Sequence, residues 1–181
     1  IPEDNIVSLQ DSLELINSQI GCTDTLACNY DLNKLYDDGS CEFAEQGYDC
    51  YGNFIPQIGD EAFGGIVFYI DETGEHGLIA NLGDLGGLYT WNDAQDVSDT
   101  IVSNNYNDWY LPSVGEILKM SQSIGPYTSF NYGFDYNWYW TSSISDDNSD
   151  LAKVINFYDG PEVILEYSKN EIGRVRPIRS F

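Results

Sequence analysis

The chain has 181 residues, with 30 acidic against 7 basic side chains and a formal net charge of −23. So acidic a surface repels phosphate backbones and anionic lipids, which argues against nucleic acid and membrane surfaces as partners. Apolar residues make up 42% and aromatic residues 14%, enough to build a sizeable core and to exclude wholesale disorder. The sequence begins at Ile1-Pro2 rather than at Met, which we interpret as the start of a processed or excised fragment.

Residues 1–20 are predicted to form a helix with an apolar seam. Pro2 suits the first turn of a helix, and the following apolar positions are spaced 3, 4, 3 and 4 residues apart. These positions are Ile6, Leu9, Leu13, Ile16 and Ile20. Isoleucine at both seam positions favours a trimeric coiled coil, so we interpret the segment as the end of a stalk that joins three copies. The alternative is an amphipathic helix that lies on the neighbouring domain.

Residues 21–53 form a cysteine module with little apolar periodicity. It contains every cysteine of the chain: Cys22, Cys28, Cys41 and Cys50. An even, clustered number of cysteines predicts two disulfides made in an oxidising compartment, with three pairings open. The alternative is a zinc site, but the intervals of 5, 12 and 8 residues include no pair with the usual zinc-ligand spacing.

The same module is rich in side chains with hard oxygen atoms, which calcium prefers. The candidate calcium ligands are Asp31, Asn33, Asp37 and Asp38. Asp and Asn also close turns by accepting hydrogen bonds from backbone N–H groups two residues further on. Both interpretations remain open from the sequence.

Residues 54–181 are predicted to form the main domain. A hairpin is expected at 64–70 and 78–82, a short helix near 92–103, a second helix after Ser113, and strands at 151–158, 162–167 and from 173 to the last residue. Ser113 and Glu116 have the spacing of a capping box at the start of the second helix. This order of elements predicts an α+β domain with a twisted antiparallel sheet and two helices.

Five blocks follow one another in this domain: GGIVFYIDETGEHGLIA (64–80), WNDA (91–94), DWYLPSVGEIL (108–118), YWTSS (139–143) and VRPIRSF (175–181). Together they resemble the Lcl C-terminal domain family, over roughly residues 58–181. The resemblance implies a C-type-lectin-like fold at the end of a bacterial adhesin or a phage fibre. Between the first strands and the WYLPS block the chain is shorter than members of that family, which implies that one side of the usual ligand surface is trimmed.

The cysteine module separately resembles a repeat, GCTD…ACNYD…DDGSC, of secreted proteins of marine bacteria and their phages. The tripeptide Trp91-Asn92-Asp93 matches the calcium-binding tripeptide of sugar-binding C-type lectins. In those lectins the tripeptide lies near the C-terminal end of the domain, whereas here it precedes the first long helix. We therefore interpret it as a helix start.

The sequence predicts no catalytic site. His76, the only histidine, lies in a predicted hairpin loop, and no serine or cysteine stands in a recognisable nucleophile motif. The formylglycine-generating enzymes, remote relatives of the fold implied by the resemblance, depend on cysteines, and residues 51–181 contain none.

A binding site is predicted on the loops around 144–150 and 158–161, with an aromatic platform at their edge. Its candidate ligand-binding residues are Tyr136, Trp138, Asp146, Asp147, Asn148, Asp150 and Asp159. Aromatic rings stack on the apolar face of a sugar, while carboxylates and amides hold hydroxyl groups or calcium. The alternative is a solvated acidic loop. Trp140 is assigned to the core, and Arg174 and Arg176, which share one strand face, are expected to pair with acidic residues.

These observations predict an extracellular recognition domain at the tip of a trimeric fibre, on a cell surface or on a virion. Its partner would be a cell-surface glycan or a protein receptor. The alternative function is a structural cap on a filament, with no ligand of its own.

Overall fold

The computed structural model describes residues 9–126, 128, 132–135, 137–156 and 163–181. The chain divides into two compact units, Ile1–Ile55 and Pro56–Phe181. The first unit contains α1 (Leu9–Ser18) and the cysteine module. The second contains β1 (Glu61–Ala62), β2 (Gly65–Ile70), β3 (Gly77–Ala80), α2 (Trp91–Thr100), α3 (Val114–Ile124), β4 (Trp138–Ile144), β5 (Leu151–Asn156), β6 (Val163–Ser168) and β7 (Ile178–Ser180). The predicted α+β class is confirmed.

The helix of the first unit ends earlier than predicted. α1 stops at Ser18, and Ile20 instead forms a parallel β-bridge with Tyr36. Ile20 is therefore not a seam position, because the chain has already left the helix to meet the cysteine module. Ile6, the first predicted seam residue, lies outside the described residues. None of the described helices is both long enough and apolar enough to span a membrane.

The cysteine module contains both predicted disulfides, and the structure selects one of the three pairings. Cys22 is bonded to Cys41, and Cys28 is bonded to Cys50. Cys22 and Ala27 are the only apolar residues buried in the described part of this unit. Crosslinks therefore take the place of an apolar core, as expected for so small a module.

The second unit contains two antiparallel sheets rather than the single sheet predicted. One has the strand order β1-β2-β3-β7 and the other β4-β5-β6. The predicted hairpin is β2–β3 and is confirmed. The final strand is shorter than predicted because residues 173–177 do not continue it. Instead the Arg174 N–H donates to the Trp138 carbonyl at 2.8 Å, so this segment runs along β4 before the chain joins β3 as β7.

Both helices of the second unit begin with a capping side chain. Thr90 caps α2 and accepts a hydrogen bond from the Asp93 N–H, which confirms that Trp91 starts a helix. Ser113 and Glu116 form the predicted capping box at the start of α3. α2 ends at Thr100, short of the predicted 103. α3 buries Ile117, Met120 and Ile124 against β2, β4 and β5.

The three C-terminal arginines pair with acidic residues, which was predicted for Arg174 and Arg176. The pairs are Arg174–Asp135 at 2.6 Å, Arg176–Asp84 at 3.3 Å and Arg179–Asp108 at 2.7 Å. The Asp84–Arg176 pair is the most deeply buried, and Tyr139 donates a hydrogen bond to the same carboxylate. Burial raises the pKa of Asp84 and lowers that of Arg176, and each shift is opposed by the charge of the partner.

Candidate functional site

β4 presents Trp138 and Trp140 on the same face of its sheet, because alternate residues of a strand point the same way. Trp140 is 1% exposed and belongs to the core, as predicted. Its indole Nε1 donates to the Tyr89 carbonyl oxygen at 2.8 Å. Trp138 is only half-buried. The two indoles therefore have different roles: one anchors the sheet, and the other offers part of its ring to solvent.

A short strap, residues 169–173, crosses over this face after β6. The Lys169 N–H donates to the Asp150 carbonyl at 3.1 Å, and the Lys169 carbonyl accepts from the Trp91 N–H at 3.0 Å. The Lys169 ammonium lies 4.1 Å from the centre of the Trp91 ring. These contacts fix the start of the strap, and its far end at Gly173 exchanges two backbone hydrogen bonds with Tyr89.

A pocket of about 120 Å³ lies between the strap and the sheet. It is lined by Trp138, Trp140, Val154, Tyr167, Glu171, Ile172 and Gly173. The Trp138 and Tyr167 rings meet edge to face, with centroids 4.8 Å apart and an angle of 61° between their planes. The pocket therefore combines aromatic surface with the carboxylate of the exposed Glu171.

Gly173 lets the strap approach the two tryptophans closely. A Cβ atom at this position would lie 3.1 Å from Cδ1 and Nε1 of Trp140 and 3.4 Å from the Trp138 carbonyl oxygen. Either the indole or the strap would have to move to admit a side chain. The lack of a side chain at residue 173 thus permits this close approach.

The predicted loop, residues 145–150, is held mainly by Ser145. The buried Ser145 hydroxyl donates to Glu166 Oε2 at 2.9 Å and accepts from the N–H groups of Asp147 at 3.2 Å and Asn148 at 3.3 Å. The Asn148 side chain accepts from the Asp150 N–H at 2.9 Å. The loop is therefore a turn stabilised by its own hydrogen bonds, with the side chains of 146–150 exposed.

Of the two predicted loops, the structure describes residues 145–150, and residues 158–161 lie outside the described residues. Residues 145–150 connect β4 to β5 at one end of the sheet, whereas β5 ends at Asn156 and β6 begins at Val163 at the other end. The backbone of Trp138 pairs with Asn156 and so lies at that second end. Tyr136 and Asp159 lie outside the described residues.

The four candidate calcium ligands all lie in tight turns, and three of them close these turns by their own hydrogen bonds. Asp31 Oδ1 accepts from the backbone and side-chain nitrogens of Asn33, each at 2.9 Å. Asp37 and Asp38 accept from backbone N–H groups two residues further on, at 3.2 and 3.0 Å. The hydrogen bonds from Asn33 lower the pKa of Asp31, and those from the side chain and then the backbone of Ser40 lower the pKa of Asp38.

The turn interpretation of these residues is confirmed, while calcium binding stays a prediction. Across the described segments from residue 9 to residue 181, no three His, Cys, Asp or Glu side chains form a group that could hold a metal ion.

Sequence reasoning found Trp138 but not its neighbours in the pocket. Two of these neighbours, Tyr167 and Gly173, lie in predicted strands, and Glu171 lies in the predicted connection between those strands. One signal was available: Tyr167 is an aromatic residue at the end of a predicted strand, where a binding surface is often mounted. The folding of the strap back over the sheet has no local signature.

No protein-family model matches the chain, and no curated protein matches it in sequence.

Proposed function

We propose that the chain is an extracellular recognition module that binds a cell-surface glycan in the Trp138–Tyr167 pocket, without catalysis. The observation that carries the proposal is the pairing of a half-exposed tryptophan and a tyrosine with one carboxylate, Glu171, in a concave site. Aromatic faces stack on the apolar face of a pyranose ring, and a carboxylate accepts hydrogen bonds from its hydroxyl groups. The disulfides indicate that the chain folds in an oxidising compartment, where such ligands are met.

Electrostatics further narrows the ligand class. Glu171 is the only charged residue that lines the described pocket, and the whole chain carries a net charge of −23. An acidic sugar would therefore approach a negative site with no basic side chain to receive it. Neutral sugars, or sugars with a free amino group, fit this charge distribution.

We also propose that three copies associate through the N-terminal helix. Two residues of the predicted seam, Leu13 and Ile16, are 60% and 49% exposed in the single chain. A helix of this length gains little stability alone, and burial of the seam against other copies would stabilise it. Sedimentation should give a trimer for the full chain and a monomer once residues 1–20 are removed. A full chain that sediments as a monomer would contradict the stalk.

A glycan array, followed by titration of the best neutral hit, tests the binding proposal. Trp138→Ala should weaken binding at least tenfold, about 1.4 kcal/mol, because the stacking surface is removed. Glu171→Gln should weaken neutral ligands several-fold and improve binding of acidic ones, since it removes a charge and keeps a hydrogen-bonding group. Near-ultraviolet circular dichroism checks that both variants remain folded.

Asp147→Ala and Asn148→Ala are the matched controls, because they change the predicted loop at residues that do not line the pocket. Unchanged binding in both supports the pocket. Loss of binding in these variants, with Trp138→Ala unaffected, would move the site to the 145–150 loop. A chain that binds neither glycans nor host cells would instead favour the structural cap.

A further inference from the structure

The outer edge of β6 is the one long strand edge that the described residues leave open. β6 pairs with β5 over six consecutive positions without a bulge and is the last strand of its sheet. Natural edge strands are usually kept short, broken by bulges, or protected by proline and lysine, because an open edge pairs with other chains. The β6 sequence, VILEYS, contains neither proline nor lysine.

The other sheet edges are short or covered. β1 has only two residues. The Trp140 N–H on the outer side of β4 donates to the Arg174 carbonyl at 3.0 Å. On the outer side of β7, Ile178 exchanges two hydrogen bonds with Tyr110, at 2.8 and 2.9 Å. The fold thus protects these edges and leaves β6 exposed within the described part of the chain.

The pattern of hydrogen bonds between β5 and β6 shows which backbone groups of β6 point away from β5. The Lys169 N–H donates to the Asp150 carbonyl just beyond the end of β6. Residues that face the neighbouring strand alternate with residues that face away from it. Counting back from Lys169, the backbone groups of Ile164, Glu166 and Ser168 therefore face the open side.

These outward groups provide a regular row of donors and acceptors. The Ser168 carbonyl already accepts from the Glu171 N–H at 2.9 Å. The row therefore offers the three N–H groups together with the carbonyls of Ile164 and Glu166. Ile164 is 44% exposed, so apolar surface accompanies the row. An added strand would satisfy the backbone groups and cover this side chain.

The acidic residues near the open edge of β6 determine which kind of partner strand can bind there. Lys153, on β5, forms an ion pair with Asp146 at 2.6 Å. The pKa of Lys153 is raised by this hydrogen bond and by the neighbouring charges of Asp146, Glu166 and Asp147. Three carboxylates thus surround one ammonium group, which leaves a local charge of −2. A strand with basic side chains complements this patch, while a second copy of the chain brings a further net charge of −23.

We propose that β6 docks an extended, basic segment of another polypeptide, which joins the β4-β5-β6 sheet as a fourth strand. Backbone hydrogen bonds supply the affinity, and the carboxylates beside Lys153 select lysine or arginine side chains. The docking edge uses the outward backbone groups of β6, whereas the pocket uses the ring of Tyr167 on that strand. The docking proposal does not depend on glycan binding.

Amide hydrogen exchange of the full chain, followed by NMR, tests the docking edge. The probe is the peptide Val-Lys-Val-Lys-Val-Lys-Val, with the matched peptide that carries glutamate at the lysine positions. In the chain alone the amides of Ile164, Glu166 and Ser168 should exchange fast, while those of Val163, Leu165 and Tyr167 are protected. The lysine peptide should slow the exchange of the first three amides and bind at least about tenfold more tightly than the glutamate peptide.

Three variants sharpen the test. Ile164→Pro removes an outward donor without breaking the bonds to β5 and should abolish peptide binding. Ile164→Thr keeps that donor and should retain binding. Glu166→Lys should shift the preference toward the glutamate peptide, which keeps the proposal testable even if the proline variant fails to fold.

Other results would overturn the proposal. Outward amides already protected in a dilute chain would mean that the chain covers its own edge. Protection that grows with protein concentration in the absence of peptide would make a second copy the occupant. Equal binding of the two peptides would remove the charge selection, and binding of neither would remove the docking edge.

Discussion

The cysteine module and the C-terminal unit are stabilised in different ways. In the module, two disulfides and a series of aspartate-closed turns hold the chain, and large apolar side chains such as Leu26 and Tyr51 are exposed. In the C-terminal unit three apolar clusters lie around two sheets. Local crosslinks and turns can fix a segment that lacks the apolar surface for a core. Packing around sheets also brings together side chains from distant parts of the sequence, such as Trp138, Tyr167 and Glu171.

The largest expected difference between the units is their response to reduction. Reduction of both disulfides should unfold the cysteine module, because loss of a disulfide from a small module costs about 2–5 kcal/mol and little core remains to replace it. Two-dimensional NMR spectra of the full chain, with and without reductant, should show collapse of the signals of residues 21–55 only.

The C-terminal unit is the internal control for this experiment, because residues 56–181 contain no cysteine. Signals of the module that survive complete reduction would contradict the comparison. So would four reactive thiols in the unreduced protein.

Truncation of one aromatic side chain in each unit gives the next largest effect. Trp140→Ala should destabilise the C-terminal unit by about 3–5 kcal/mol, since it empties a core position. Tyr51, in the module, is 90% exposed, and Tyr51→Ala should change the stability by less than about 0.5 kcal/mol. Urea unfolding followed by circular dichroism measures both. Similar losses in the two variants would mean that the module also depends on aromatic burial.

The smallest predicted effect concerns Asp108 and depends on pH. Its carboxylate makes two hydrogen bonds with the guanidinium of the buried Arg179, at 2.7 and 3.0 Å, which lowers the pKa of Asp108 below 3.8. The resulting stabilisation is complete above the unfolded-state pKa of 3.8 and is lost as the pH falls through the lower folded-state pKa. Asp108→Asn should therefore cost about 1–2 kcal/mol at pH 7, because half-exposure of the carboxylate screens the pair.

The cost of Asp108→Asn should shrink as the pH falls below 3.8, as measured by urea unfolding at several pH values. Asp147→Asn removes the same charge from an exposed loop and should leave the stability almost unchanged. A cost that stays constant down to pH 2 would show that shape, and not charge, makes Asp108 important.

Sequence patterns predicted the parts of the fold that depend on neighbours in the chain. The capping box of Ser113 and Glu116 and the hairpin of β2 and β3 are local, and both were predicted correctly. The disulfide pairing was left open, because cysteine spacing does not choose among the three connectivities. The extent of the last strand was wrong, since Arg174 bonds to β4 across a long sequence separation.

In the candidate site, too, sequence patterns did not predict contacts between residues that are distant in the chain. Trp138 stood out by residue type, but Glu171 reaches the pocket only because the strap folds back over the sheet. The sequence placed the 145–150 loop beside Trp138 because that loop follows the YWTSS block, is rich in acidic residues and joins two predicted strands. Strand β4 separates the backbone of Trp138 from that loop.

The interleaved order of the disulfides has a consequence for survival outside the cell. Because Cys22 pairs with Cys41 and Cys28 with Cys50, every peptide bond between residues 22 and 50 is spanned by at least one crosslink, and those between 28 and 41 are spanned by two. A protease that cuts the module once, at any of these bonds, therefore leaves both fragments covalently joined. The C-terminal unit would stay tethered to α1 after such a cut, and the two fragments would separate on a gel only after reduction.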